Sequence, residues 1–178
     1  MSLGAKLSLK IAGTAAVLGV AGWMLVKEFR GMLRHGRGQT MVWFYDESEK
    51  KLYSMPDTTI PPDVGIGGPR DDGDKAIVVT FGHQGQDRSK WRIAYLTKYA
   101  PELKKLLDES ILARAAGQVF NGSVPPRQSN YFQSNTLVKR EADTDWHAVN
   151  TPEGRAIVNE WRSWQGADGA APIICSAE

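Results

Sequence analysis

The run from Ile11 to Val26, IAGTAAVLGVAGWMLV, contains no charged residue over 16 positions. No other feature limits what the chain can form so tightly. At about 1.5 Å of rise per helical residue such a run spans ~24 Å of a hydrocarbon core about 30 Å thick. Extension back to Leu7 closes the gap. Lys10 can lay its methylene stem along that helix and lift its ammonium to the interface, and Trp23 suits the headgroup level at the other end. A cleaved signal peptide would need small residues after the run, whereas Trp23-Met24-Leu25-Val26-Lys27 is bulky and then basic. A buried soluble helix would tolerate the glycines poorly. The expectation is a single transmembrane helix within residues 1–27 and a basic juxtamembrane neck over 28–40.

Charge supports the same division. Residues 1–40 hold Lys6, Lys10, Lys27, Arg30, Arg34 and Arg37 against Glu28, so 6 minus 1 gives +5; the rest has 22 minus 6 basic and 20 minus 1 acidic residues, 16 against 19, giving −3. Lys10, Trp23, Lys27, Arg30, Arg34 and Arg37 are the expected membrane-interface residues. Ala12, Ala15, Ala16, Gly19 and Gly22 recur at helical intervals and would let a second helix approach closely, so the lipid bilayer and a helix partner are both expected contacts. No His, Asp or Glu lies within the run, which argues against a proton path or a histidine-ligated tetrapyrrole there. Basic residues flank both ends nearly evenly. The expected location is the bacterial inner membrane, single-pass, with a lean towards a periplasmic head. A −3 head has no basic field to offer nucleic acid.

Past Gly38 the pattern changes to strand period. Met41–Asp46 and Lys51–Met55 read as a β-hairpin around a charged loop. Ala76–Phe81, AIVVTF, is the most strand-like run and should be buried and central. Arg92–Leu96 begins or precedes a helix that Pro101 opens, with Leu103, Leu106, Leu107, Ile111 and Leu112 on its packing side and Gly117 as its stop. Tyr131–Glu141 and Asp145–Val149 read as a strand pair. Thr151-Pro152-Glu153 has the cap, proline and acid of a helix start that runs to Trp164. The expected fold is α+β: the transmembrane helix, then a small antiparallel sheet with two packed helices over 41–165, then an irregular tail over 166–178.

Motifs that carry chemistry are sparse. Gly65-Ile66-Gly67-Gly68-Pro69 has no Lys-Ser/Thr after it and reads as a turn rather than a phosphate loop. Asp71-Asp72-Gly73-Asp74 lacks the terminal glutamate of a calcium loop. Asp143, Asp145 and His147 alternate, as a divalent-metal or acid–base trio on one strand face would. His83 lies in a loop after the central strand, where sites often form, but has no nucleophile or paired base nearby. His35 belongs to the neck. Cys175 is the one cysteine, which excludes an internal disulfide and a Cys-based zinc site. Signatures of serine nucleophiles and of HExxH metal sites are absent. Six tryptophans are many for this length, and clustered Trp with Arg marks both cores and interfaces. The proline- and glycine-rich stretches 56–73 and 117–130 suit arms that order on a neighbour.

The order of Trp43-Phe44-Tyr45-Asp46, Lys51-Leu52-Tyr53, Ile60-Pro61-Pro62, Tyr95–Lys104, Trp146 and Thr151-Pro152-Glu153-Gly154 resembles a group of N-terminally anchored bacterial proteins of planctomycetes and their relatives, whose activity is uncharacterised. The resemblance covers most of residues 41–160 and implies an envelope protein. Members of that group carry paired cysteines after the central strand, where this chain has Gly82-His83-Gln84-Gly85, a departure that weighs against a metal or redox role. The expected function is a non-catalytic accessory subunit of a larger bacterial membrane complex, respiratory or photosynthetic, that binds no cofactor and braces other subunits. The alternatives are a part of a secretion or pilus-like machine, and an anchored hydrolytic or metal-binding domain using His83, Asp143, Asp145 and His147.

Overall fold

The structure is a computed structural model that describes residues 40–68, 71–82 and 87–177. Its frame is one antiparallel sheet. β1 (Met41–Asp46), β2 (Lys51–Pro56), β3 (Gly73–Phe81), β4 (Arg92–Tyr99), β5 (Thr136–Lys139) and β6 (His147–Ala148) lie in the order β2-β1-β3-β4-β5-β6, and β7 (Pro172–Ile174) pairs with β3. The 9-residue β3 exceeds any neighbour on its outer side. Its first three residues pair with β1 and its last three with β7, so two strands share one edge of it end to end.

The β1–β2 hairpin forms as its pattern predicts, closed by a turn in which Lys50 takes a positive φ of 53°. Asp46 ends β1 as a fully buried acceptor. Its carboxylate takes N–H groups from Glu49, Ile66 and Gly67 and the Ser48 hydroxyl, and these bonds to the charged form hold it down near about 2. The glycine run around Ile66 is thus a loop tied to one carboxylate.

Three α-helices accompany the sheet: α1 (Pro101–Ala115), α2 (Asn130–Ser134) and α3 (Pro152–Glu160). Thr151 caps α3 by accepting the Gly154 N–H at 3.0 Å. Gly154 sits where a Cβ would collide with the Ala148 carbonyl, so a glycine lets this helix start against β6. Leu103 of α1 and Ile157 of α3 are buried, and Tyr99 meets Phe132 of α2 edge-on at 5.6 Å. The opposite face carries Trp43, Tyr45, Ala76, Val78 and Leu96, covered by Trp91, Trp146, Cys175 and Ala177.

Several expectations are corrected. The small sheet with two packed helices is a seven-stranded sheet with three short helices. Arg92–Leu96 is strand, because its side chains continue the ladder of β3 and β5 until Pro101 forbids further pairing. Tyr131–Glu141 divides: Ser129 accepts the Phe132 N–H and starts a helical turn before β5. The stretch 166–178 supplies β7, and Cys175 donates to the Val78 carbonyl at 2.8 Å.

The single-pass transmembrane helix and inner-membrane placement are also corrected. Among the described residues no helix is long and apolar enough to cross a membrane. The longest, α1, has 15 residues, or ~22 Å at helical rise, and carries Lys104, Lys105, Asp108, Glu109 and Arg114. The expected anchor and neck, with Lys10, Ala12, Ala15, Ala16, Gly19, Gly22, Trp23, Lys27, Arg30, Arg34 and Arg37, lie outside the described residues.

Candidate functional site

The ladder between β3 and β4 breaks once. Ile77 faces Tyr95, but Val78 faces Ile93, so Ala94 is an extra residue in a β-bulge. A bulge inverts the in–out alternation of everything before it. Here it turns Trp91 and Ile93 to the face that bears Trp43, and sends Arg92 to the other, where its guanidinium lies 5.3 Å over the Phe81 ring. Trp43 and Trp91 meet edge-on with ring centres 5.1 Å apart. The Arg88 guanidinium covers both, 5.8 and 5.4 Å from the two rings.

Pairing to β5 stops at the same place. β5 matches Leu96 through Tyr99 only, and the chain leaves the sheet at a turn in which Asp143 N–H donates to the Arg140 carbonyl. A cleft of about 490 Å³ opens there, lined by Tyr45, Leu52, Trp91, Ile93 and Trp164 with Lys50, Arg92 and Glu141 at its polar positions. Trp91 and Arg92 also line an adjoining hollow of about 310 Å³ beside Lys90 and Asp168.

One wall of the cleft is held by charge. Glu141 accepts the Tyr45 hydroxyl at 2.8 Å, which together with burial pushes the Tyr45 phenol upward. Arg140 bonds Glu160 through Nε and Asp143 at 3.0 Å. Lys139, 4% exposed, donates to Glu47 at 2.6 Å and to the Asp143 carbonyl at 3.2 Å. The Trp146 ring lies under both Lys98 at 4.0 Å and Lys139 at 5.1 Å.

Asp74, 1% exposed, is packed against this network, and no donor reaches either of its oxygens. Its neighbour in hydrogen-bonding reach is the Glu47 carboxylate, itself an acceptor held low by Lys139. Two carboxylates cannot bond without a proton between them. Burial first, and Glu47 second, raise Asp74 far above the carboxylate range, so it is the protonated donor of the pair.

A second surface is formed by α1 and the segment after it. α1 buries Leu103 at its root. It ends in a Schellman arrangement, with Gly117 at φ 66° donating to Arg114 and Gln118 donating to Ala113. Beyond this root the side chains are uncovered: Leu112 is 69% and Val119 86% exposed, and Ile111 and Val124 are exposed too.

Comparison of the chain with protein-family models, characterised proteins and solved structures finds no match. Function is therefore read from these surfaces.

The expected chemical residues are not brought together. Asp143 is paired with Arg140, Asp145 is exposed, and His147 is half-buried on β6 against Val138. Among the described residues no group of three His, Cys, Asp or Glu can hold a metal ion. His83 and His35 lie outside the described residues. Cys175 is a half-buried free thiol whose burial raises its pKa. Trp43, Trp91, Trp146 and Trp164 do share one face, as their number suggested. The bulge that selects the face and the Glu47–Lys139 pairing were missed, since neither has a local sequence signal.

Proposed function

We propose that this chain is a non-catalytic accessory subunit that braces neighbouring subunits of a larger protein assembly. The carrying observation is the arm from Ile111 to Val124, which holds a capped helix end and an extended segment in place while leaving Ile111, Leu112, Val119 and Val124 uncovered. Full burial of one such side chain is worth about 1.5–3 kcal/mol. That free energy is not recovered within the domain and is available to a partner. The arm contains the region that its proline and glycine content marks as suited to lying on a neighbour.

The experiment is gentle purification of the tagged full chain from its native cell, followed by mass spectrometry and sizing. A stoichiometric set of companions is expected. The double variant Leu112→Glu and Val119→Glu should lose them while keeping the melting temperature, because both positions lie outside the core. A wild-type chain that elutes alone would sink the proposal, as would full retention by the double variant.

A further inference from the structure

The unpaired half of β4 is distinct from the arm and has its own chemistry. Among the described residues, no backbone hydrogen bond from outside the β3 ladder reaches Arg92, Ile93 or Ala94. A strand's edge groups are a template for pairing unless something covers them. β5 would cover them if it continued, but Arg140 and Asp143 pull the chain away, and Arg140 is tied further by Glu160. The gap so left is the cleft whose walls include Trp91, Ile93 and Trp164.

The charge around this gap is one-sided. Lys50, Lys90 and Arg92 border the cleft and its adjoining hollow, and none is in an ion pair among the described residues. The two carboxylates of the same walls are already engaged: Glu141 accepts the Tyr45 hydroxyl and Asp168 accepts the Ala170 N–H at 3.0 Å. Three uncommitted cations thus stand on a head whose net charge over residues 41–178 is −3, from 16 basic and 19 acidic residues. Aromatic walls with a cationic rim and a free strand edge suit an extended chain whose backbone pairs, whose apolar side chain enters the cleft and whose flanking side chains are acidic.

We propose that the free half of β4 is a docking site for an extended acidic segment of a partner protein, which adds as a strand beside Arg92–Ala94 and places an apolar side chain among Trp91, Ile93 and Trp164. The bulge at Ala94 serves this by putting Trp91 and Ile93 on the cleft side while the strand edge stays open. This site is independent of the arm, and the Leu112→Glu/Val119→Glu variant retains it.

The test uses the full chain and two blocked synthetic peptides, one alternating glutamate with valine around a central phenylalanine, the other with lysine in place of glutamate. Tryptophan fluorescence follows binding, and amide hydrogen exchange follows Ile93 and Ala94. The acidic peptide is expected to bind saturably, more weakly as salt rises, and to slow exchange at both amides; the lysine peptide should bind about tenfold or more weakly. Lys50→Glu/Arg92→Glu, at two exposed positions, should reverse that preference with the melting temperature unchanged. Equal binding of both peptides, unaltered exchange at Ile93 and Ala94 under saturating acidic peptide, or an unchanged preference in the variant would each overturn the proposal. So would a small aromatic anion such as indole-3-acetate filling the cleft without slowing those amides while the acidic peptide fails to bind.

Discussion

Replacing Asp74 with asparagine should stabilise the domain at neutral pH, against the usual direction for a buried polar substitution. Asp74 is 1% exposed, has no donor at either oxygen and lies against Glu47, so it is held protonated, with its pKa raised to about 9. In the unfolded chain it ionises near the ordinary value of about 3.9. Between these two values the folded state binds a proton that the unfolded state has released, so stability falls as pH rises, by about 1.4 kcal/mol per pH unit. The stability from this group is complete below about pH 4, declines through neutral pH, and levels off above about pH 9. By pH 7 the accumulated cost approaches about 4 kcal/mol. Glu47 titrates with Asp74 as a pair and Lys98 and Lys139 both favour ionisation, so about 2–3 kcal/mol is the figure to test. Asparagine keeps a donor for Glu47 and has no proton to lose. Urea unfolding of wild type and Asp74→Asn, followed by tryptophan fluorescence at pH 5, 7 and 8.5, should show curves that converge near pH 5 and separate above it, with the variant more stable. Parallel curves would refute a protonated Asp74.

Two further substitutions probe what positions the cleft. Gly154→Ala in an ordinary helix would gain about 1 kcal/mol; here the added Cβ meets the Ala148 carbonyl, so a loss of about 2–3 kcal/mol and a lower melting temperature are expected, and a rise would show that α3 can shift freely. Lys139→Ala removes the cation from Glu47 and the stem from Trp146 and should cost about 2–4 kcal/mol. Adding Glu47→Gln should recover part of that loss, and strict additivity in the double-mutant cycle would deny that the pair is coupled.

What could be read from the sequence is what local pattern determines. The hairpin of β1 and β2, the buried run of β3, the Pro101 start and Gly117 stop of α1, and the Thr151 cap all rest on a few adjacent residues, and the structure has each of them. Arg92–Tyr99 was ambiguous because Ile93, Ala94 and Leu96 suit a helix face as well as a strand; the ladder to β3 decides it, and β3 lies about twenty residues earlier in the chain. The apolar residues of α1 suggested a packing side, yet only Leu103 is buried. Periodicity reports that a helix is amphipathic and does not report what covers it. β7 is three residues long and forms because β3 outruns β1, which no property of Pro172–Ile174 reveals. In the cleft, the richness in tryptophan was visible. The Glu47–Lys139 contact, between residues 92 positions apart, depends on the register of four strands at once.

One extra residue ties these features together. Without the bulge at Ala94, the alternation of β4 would put Arg92 beside Trp43 and send Trp91 and Ile93 across the sheet, and the Trp43–Trp91–Arg88 stack could not form. The bulge also falls next to Leu96, where β5 pairing ends, so the change of face and the opening of the strand edge occur within two residues of each other. A sheet meant only for stability would extend β5 and close that edge. This one instead spends a buried lysine, a protonated aspartate and an arginine–glutamate pair on holding residues 139–146 to the side. Buried ionic groups are poor stabilisers compared with apolar packing, so their presence along this wall is better explained by the cleft they keep open than by the fold they sit in.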